Sequence, residues 1–262
     1  VYKRQVQVYS AGAESCLSAA PFSSNGVVLS NMQKMSSPVI AEHAIAMLLH
    51  LTRDLSQFLD GMEQGDWRRG GQYTERMTTI SGKTMLVLGL GGIGTEVARR
   101  GAALGMRVIG TRNSSREGPY FVDYVGLSDE MLDLAAKADV IVNALPLTHS
   151  TRGLLDETFF TADVLKRKPY FVNVGRGGTV DTDALLSALD SGVVAAAGLD
   201  VTDPEPLPAD HPLWQSKRVL ITPHVSGRGG NRDRHIVLAR ENILRFLAGE
   251  ALYNVVDPDR GY

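Results

Sequence analysis

An uncharged apolar run, Thr84-Met85-Leu86-Val87-Leu88, meets a glycine cluster, Gly89-Leu90-Gly91-Gly92-Ile93-Gly94. Beyond it the pattern changes to helical spacing, with Ile93, Val97, Gly101 and Leu104 on one face. That order predicts a buried parallel strand, a tight turn and a helix. Gly89, Gly91 and Gly94 form G-x-G-x-x-G. In such a turn the first glycine permits the sharp reversal, and the second lets the backbone approach a pyrophosphate. The third lets the helix pack closely on the strand. The N–H groups at the helix start then face the phosphates. Glycine-rich turns are common, so the spacing alone is a weak signal. The strand before it and the helix after it make it a dinucleotide signal.

The pattern then repeats. Apolar runs predict strands at 84–88, 107–111, 140–144, 170–174, 195–199 and 219–222, with helical patterns at 92–104, 128–136, 161–166 and 181–191. Alternation of this kind implies a parallel sheet covered on both faces. Upstream, Ser37 and Pro38 read as N-cap and first residue of a helix. It runs through Val39, Ile40, Ala44, Met47, Leu48, Leu51, Leu55 and Leu59, until Gly61 or Gly65 ends it. Residues 66–80 read as a polar connection. Short strands are expected at 6–9 and 27–29, with a turn at 10–14 between them, and a last helix at 232–248 ends at Gly249. The opening residues 1–5 fit no pattern and read as an expression or sequencing scar.

The 262 residues allow one or two domains and a sizeable core. With 44% hydrophobic and 21% charged residues the chain is an ordinary globular mixture. A formal net charge of −2 gives no reason to expect nucleic acid or an anionic membrane as partner. The single cysteine, Cys16, cannot form an internal disulfide, which points to a reducing cytoplasm. The most apolar long stretch, 39–51, contains Glu42, His43 and His50 and is too short to span a bilayer. His43 and His50 lie seven apart with no ligand spacing, so no metal site is expected. No secretory signal is visible.

In an open parallel sheet, ligands bind outside the carboxyl ends of the strands. The second strand is followed by Thr111, Arg112 and Asn113, and the third by Pro146 and Thr151. The fourth ends at Val174 and leads to Gly175-Arg176-Gly177-Gly178. The fifth leads to Asp200 and then Glu205, and the sixth to Pro223-His224-Val225-Ser226-Gly227. An arginine, a carboxylate and a histidine thus converge on the rim that also holds the glycine turn. Alone, Arg176 could be a solvated turn residue, Glu205 a surface residue and His224 a satisfied loop histidine. Together they favour a hydride-transfer site. An arginine can polarise a carbonyl oxygen, and an imidazole exchanges protons near neutral pH. Glu205 is the candidate carboxylate to hold the imidazolium. One position bears on the cofactor. An NAD site places an acid after the second strand, whereas here stands Arg112, with no acid before Glu117. A guanidinium suits a 2′-phosphate, so NADP(H) is expected, with NAD possible.

The combination of residues 89–94, 173–181, 198–201 with Glu205-Pro206, and Thr222-Pro223-His224 resembles the D-isomer-specific 2-hydroxyacid dehydrogenases. The resemblance runs from about Ser10 to Asp257. It implies an α/β fold, a Rossmann-like doubly wound parallel sheet, with the remnant of a flavodoxin-like substrate domain. The expected division is a partial substrate domain at 1–36, a dinucleotide-binding domain at 37–231, and a helix and tail at 232–262 returning to the substrate domain. The resemblance makes Arg176, Glu205 and His224 the catalytic residues. The cofactor would meet Gly89, Gly91, Gly92, Ile93, Gly94, Thr111, Arg112, Asn113, Pro146, Thr151, Val174, Asp200, His224 and Gly227. A small 2-oxo or 2-hydroxy acid would meet Ala11, Gly12, Arg176 and His224. Family members usually form homodimers through the helix beginning at Pro38. They also carry further strands ahead of the segment that starts at Val6, so the chain reads as an N-terminally truncated member. Such a fragment is expected to bind NADP(H) weakly, to aggregate and to turn over little, because its strands would expose unpaired edges. The favoured activity is glyoxylate/hydroxypyruvate-reductase-like. The alternatives are a phosphoglycerate-dehydrogenase-like enzyme and a non-catalytic protein that senses dinucleotide on the same fold.

Overall fold

The computed structural model describes residues 5–13, 16, 27–230 and 232–257. Among them, β1 (Gln5–Gln7) and β2 (Val28–Ser30) form a small parallel pair. Helices α1 (Ser37–Thr52) and α2 (Leu55–Gln64) follow. The main body comprises β3 (Thr84–Leu88), α3 (Gly92–Ala103), β4 (Arg107–Thr111), β5 (Tyr124–Gly126), α4 (Met131–Ala135) and β6 (Val140–Asn143). It continues with β7 (Tyr170–Asn173), α5 (Thr182–Asp190), β8 (Ala196–Leu199) and β9 (Val219–Ile221), and α6 (Arg232–Ala248) closes the chain.

Seven of these strands form one sheet in the order β5-β4-β3-β6-β7-β8-β9, every neighbouring pair parallel. The order reverses at β3, between β4 and β6, which makes the carboxyl end of β3 the switch point of a doubly wound sheet. Strand periodicity assigns the two faces. Met85, Val87, Val108, Val140, Val142 and Val172 pack with Ala44, Met47, Leu48, Val97 and Ala98 of α1 and α3. Leu86, Leu88, Ile109, Ile141 and Phe171 pack on the other side with Leu134, Leu185 and Leu189 of α4 and α5. Both faces are buried, which is why the strands read as unbroken apolar runs rather than as alternations.

Several expectations need correction. The helix expected from Ser37 to beyond Leu59 is two helices. Ser36 occupies the N-cap without a side-chain bond, which puts Pro38 at the second helical position. The break falls at Asp54, in the left-handed region at φ 47°. There the Thr52 carbonyl accepts from Thr78 N at 2.8 Å, so the incoming loop takes the acceptor that a continuing helix would use. Gly65, not Gly61, ends α2. Residues 161–166 are turns, not a helix. Phe159, Phe160 and Leu165 are all drawn into the core, with Phe160 edge-on to Phe159 and to Phe171, and this pulls the segment off a helical path. The edge strand β5 went unrecognised, because three residues paired along one side carry too short a pattern. The first strand lies at 5–7 rather than 6–9.

The chain's last segment packs on its first. Met32 and Met35 meet Leu238 and Ala239 of α6. Asn242, fully buried, donates to Gln7 Oε1 at 2.9 Å and accepts from Tyr253 N at 2.8 Å. Val256 N then bonds Leu29 O at 2.8 Å. Residues 14–15 of the expected early turn, and parts of the 1–36 and 232–262 segments, lie outside the described residues.

Candidate active site

The glycine turn has the geometry its spacing demands. Gly89 sits at φ 87°, where an L-residue is strained, and its N–H donates to Thr111 Oγ1 at 3.2 Å. A Cβ on Gly94 would lie 2.0 Å from Gly89 O, so only glycine lets α3 start this close to β3. Gly91, the N-cap of α3, is the opposite case. A Cβ there meets nothing within 4 Å and projects into open space at the head of the helix. That is the cradle a pyrophosphate needs. A Cβ on Gly92 would approach Ser37 Oγ and Lys34 Cγ, and Ile93 is half-buried. Thr111 is buried and accepts from Leu90 N through its carbonyl at 2.9 Å. Arg112 lies across the turn, with Nε donating to Leu90 O at 3.2 Å, and Asn113 is exposed. Arg116 is engaged elsewhere, paired with Glu130 and Tyr124.

Across the switch point, Pro146 O accepts from Thr151 Oγ1 at 2.6 Å, closing the loop after β6. Val174, buried, continues β7 by bonding Asn143 O at 3.1 Å. Arg176 follows, half-buried, with Nη1 donating to Gly175 O at 2.9 Å. The next residue ties this loop to the one after β8. A Cβ on Gly177 would fall 1.8 Å from Thr202 O. That second loop carries Glu205, whose Oε1 lies 2.5 Å from His224 Nδ1, with both side chains close to half exposed. His224 itself is held at φ 52°. The three expected catalytic side chains thus stand on adjoining loops at one sheet edge. Ala11 and Gly12 belong to a separate loop, anchored through Asn31 Nδ2 to Ala11 O at 2.8 Å and Met32 N to Ser10 O at 2.9 Å.

Asp200 is the buried charge of the site. Its Oδ1 accepts from Thr222 Oγ1 at 2.6 Å and Val225 N at 2.9 Å, and its Oδ2 from Ser226 N at 3.0 Å. Burial by itself would push the carboxyl upward. The bonds from Ser226, Thr222 and Val225 outweigh that and hold it below the ordinary aspartate value. Gly227 lies over the start of α1, where an added Cβ would meet Ser36 and Ile40 at 3.9 Å.

Sequence reasoning missed a buried polar cluster behind Arg176. Asn143 Nδ2 donates to Asn173 Oδ1 at 3.1 Å and to Thr179 Oγ1 at 2.7 Å, and Thr179 Oγ1 donates to Arg176 O at 2.7 Å. Asn173 Oδ1 also accepts from Gly175 N, and Asn143 Oδ1 from Leu145 N. Two asparagines that close apolar strands in register, Asn143 opposite Asn173, were the available signal. His43 was also passed over, and it stands against Thr222.

A doubly wound sheet with a glycine turn at its switch point and an Arg, Glu and His on neighbouring loops defines a dinucleotide-dependent oxidoreductase class. Comparison with known proteins narrows it. Residues 45–226 match the family described as D-isomer specific 2-hydroxyacid dehydrogenase, NAD binding domain, and the chain belongs to that family. It is 35% identical over 240 residues to a glyoxylate reductase of Aeropyrum pernix, covering 88% of this chain and 70% of that one. It is 36% identical over 218 residues to the human glyoxylate reductase/hydroxypyruvate reductase, covering 81% and 64%. D-3-phosphoglycerate dehydrogenases are also among the matches. Among solved structures, the NADPH-dependent glyoxylate/hydroxypyruvate reductase of Sinorhizobium meliloti, in complex with NADP and sulfate, superposes with a TM-score of 0.84 at 28% identity. That superposition covers 99% of this chain and 80% of the other. The chain thus spans about two thirds of the length of these two curated relatives.

Proposed function

We propose that the protein reduces a small 2-oxo acid to its D-2-hydroxy acid with NADPH, in the manner of a glyoxylate/hydroxypyruvate reductase. The observation that carries this is the 2.5 Å pair between Glu205 and His224 at the rim that bears Arg176 and the glycine turn. Bound at that turn, the cofactor supplies the hydride. Negative charge then builds on the C2 oxygen of the acid and must be met as it forms. Arg176, always protonated, polarises that oxygen and holds the neighbouring carboxylate. Because Glu205 takes the Nδ1 side of His224, Nε2 is the atom left to give the proton to the alkoxide, and Glu205 holds the ring in that orientation. In oxidation the neutral ring takes the proton back. Ala11 and Gly12 are read as a backbone site for the substrate carboxylate.

Arg112 supports the preference for NADP(H). Its Nε is used within the turn, which leaves its terminal nitrogens to meet a 2′-phosphate. NADP bound to the Sinorhizobium relative supports the same choice. The division into a cofactor domain at 37–231 and substrate-domain pieces at 1–36 and 232–262 is part of this reading, as is a homodimer through α1 and α2. Exposed Leu55, Leu59 and Met62 give α2 apolar contacts to offer. The single cysteine suits a cytoplasmic setting. Among the described residues no helix is long and apolar enough to cross a membrane.

The test is turnover of NADPH against a panel that includes glyoxylate, hydroxypyruvate and 3-phosphohydroxypyruvate. The reading expects the first two to be reduced. Preference for the third would favour the phosphoglycerate-dehydrogenase-like alternative. Tight NADPH binding with no turnover of any 2-oxo acid would favour a dinucleotide sensor.

A further inference from the structure

His43 lies on α1, 179 residues before Thr222 in sequence, yet its Nε2 is 2.9 Å from Thr222 Oγ1 and 3.7 Å from Asp200 Oδ1. The roles in this triangle follow from counting hydrogens. An ionised carboxylate only accepts, so the single hydroxyl hydrogen of Thr222 goes to Asp200 Oδ1, 2.6 Å away. Thr222 Oγ1 can then only accept from His43, and the ring must carry its hydrogen on Nε2. The result is a one-way chain, His43 to Thr222 to Asp200, in which each bond polarises the next.

The far end of that chain sets the loop of His224. Asp200 takes Val225 N and Ser226 N on its carboxylate, and its main-chain oxygen takes His224 N at 2.8 Å. Three consecutive amides therefore hang from one residue, which over-determines the left-handed conformation of His224. Helix α1 also forms the floor beneath the loop. Ser36 and Ile40 lie under Gly227, Val39 lies under Gly230, and Ser36 Oγ is 3.3 Å from His235 Nε2.

We propose that His43 is a positioning residue. It donates through Thr222 to keep Asp200 aligned on the amides of residues 224–226, and so fixes the direction of the His224 ring. It takes no part in moving the reaction's proton. The catalytic half of this statement rests on the oxo-acid reductase reading, whereas the hydrogen-bond chain does not.

Two measurements separate the halves. At about pH 8, where an imidazole is ordinarily neutral, a long-range ¹H–¹⁵N spectrum should show His43 as the Nε2–H tautomer, its signal assigned by loss in His43→Gln. An Nδ1–H tautomer would overturn the chain whatever the activity. Amide exchange at Val225 and Ser226 should quicken about five- to tenfold in His43→Leu, the scale of one net hydrogen bond. His43→Gln, whose amide can donate, should restore it. Equal exchange in His43→Leu and the parent would likewise overturn it. In turnover, His43→Leu and Thr222→Val should each lower kcat several-fold with KM for the oxo acid unchanged, Thr222→Val at least as much because it also removes the bond to Asp200, and the double variant should be no worse than Thr222→Val alone. Additive losses, or a glutamine variant as impaired as the leucine one, would refute a positioning role. Should the parent fail to reduce any oxo acid, the reductase reading falls while the tautomer and exchange results still decide the chain.

Discussion

Two alanine substitutions in the glycine turn should separate folding from binding. At Gly94 the new Cβ would lie 2.0 Å from Gly89 O and 2.9 Å from Val87 Cγ1, and the first of these is backbone that cannot rotate aside. The start of α3 must move away from β3 by about 1 Å or more, the kind of overpacking that typically costs about 1–3 kcal/mol. For a body of this size that corresponds to a melting point lowered by roughly 2–5 °C. At Gly91 the same methyl meets nothing within 4 Å, and the residue's φ of −79° suits alanine. Gly91→Ala should therefore melt at or slightly above the parental temperature, since the unfolded chain loses freedom. It should nonetheless weaken NADPH binding about tenfold or more, because the methyl occupies the approach of the pyrophosphate. Thermal melts and fluorescence titration with NADPH provide both readouts. If Gly91→Ala binds NADPH as the parent does, the dinucleotide does not lie on this turn. If Gly94→Ala melts with the parent, the close approach of helix and strand is not what the glycine serves.

Arg112→Asp should shift preference toward NADH by repelling the 2′-phosphate, and paired titrations with NADPH and NADH would reveal an unchanged ratio if Arg112 is merely solvated. His224→Ala should lose about 10²–10⁴-fold in kcat with NADPH affinity nearly intact, whereas Arg176→Ala should also raise KM for the oxo acid; parental rates in His224→Ala would refute the acid–base assignment. Asp139 ties the starts of two strands, taking Thr84 N on Oδ2 and Arg167 Nε on Oδ1, both at 2.8 Å. Burial would raise its carboxyl, but the bonds from Arg167 and Thr84 prevail and lower it, as the bonds to Asp200 do there. A carboxyl depressed in the folded state gives stability that is complete above its unfolded value and lost as pH falls through the folded one. Melting points recorded from about pH 6 down to about pH 2 should drop on the acid side, and Asp139→Asn should show a shallower drop than the parent. An unchanged slope would remove Asp139 from the acid response.

The sequence by itself determined the parts that depend on neighbours along the chain. Strand, turn and helix at 84–103 follow from an apolar run, three glycines and helical spacing, and the bounds of β4 and α6 could be read to the residue. The ends of buried parallel strands are legible because each apolar run stops where the chain leaves the sheet, and the ligand rim lies at those ends. That is why Arg176, Glu205 and His224 could be chosen before any distance was known. Only the tertiary structure decided what depends on elements far apart in sequence. The break at Asp54 comes from Thr78 reaching back to Thr52, and the lost helix at 161–166 from aromatic packing against β7. The asparagine cluster behind Arg176 and the contact of His43 with Thr222 join loops or helices from different strands, and the Glu205 partner expected for His224 acquires its ring atom, Nδ1, and its 2.5 Å distance only there. A histidine in an apolar helix looks the same in sequence whether it faces solvent or a buried carboxylate. The difference lies in which surface the helix covers, and sheet order and packing set that surface.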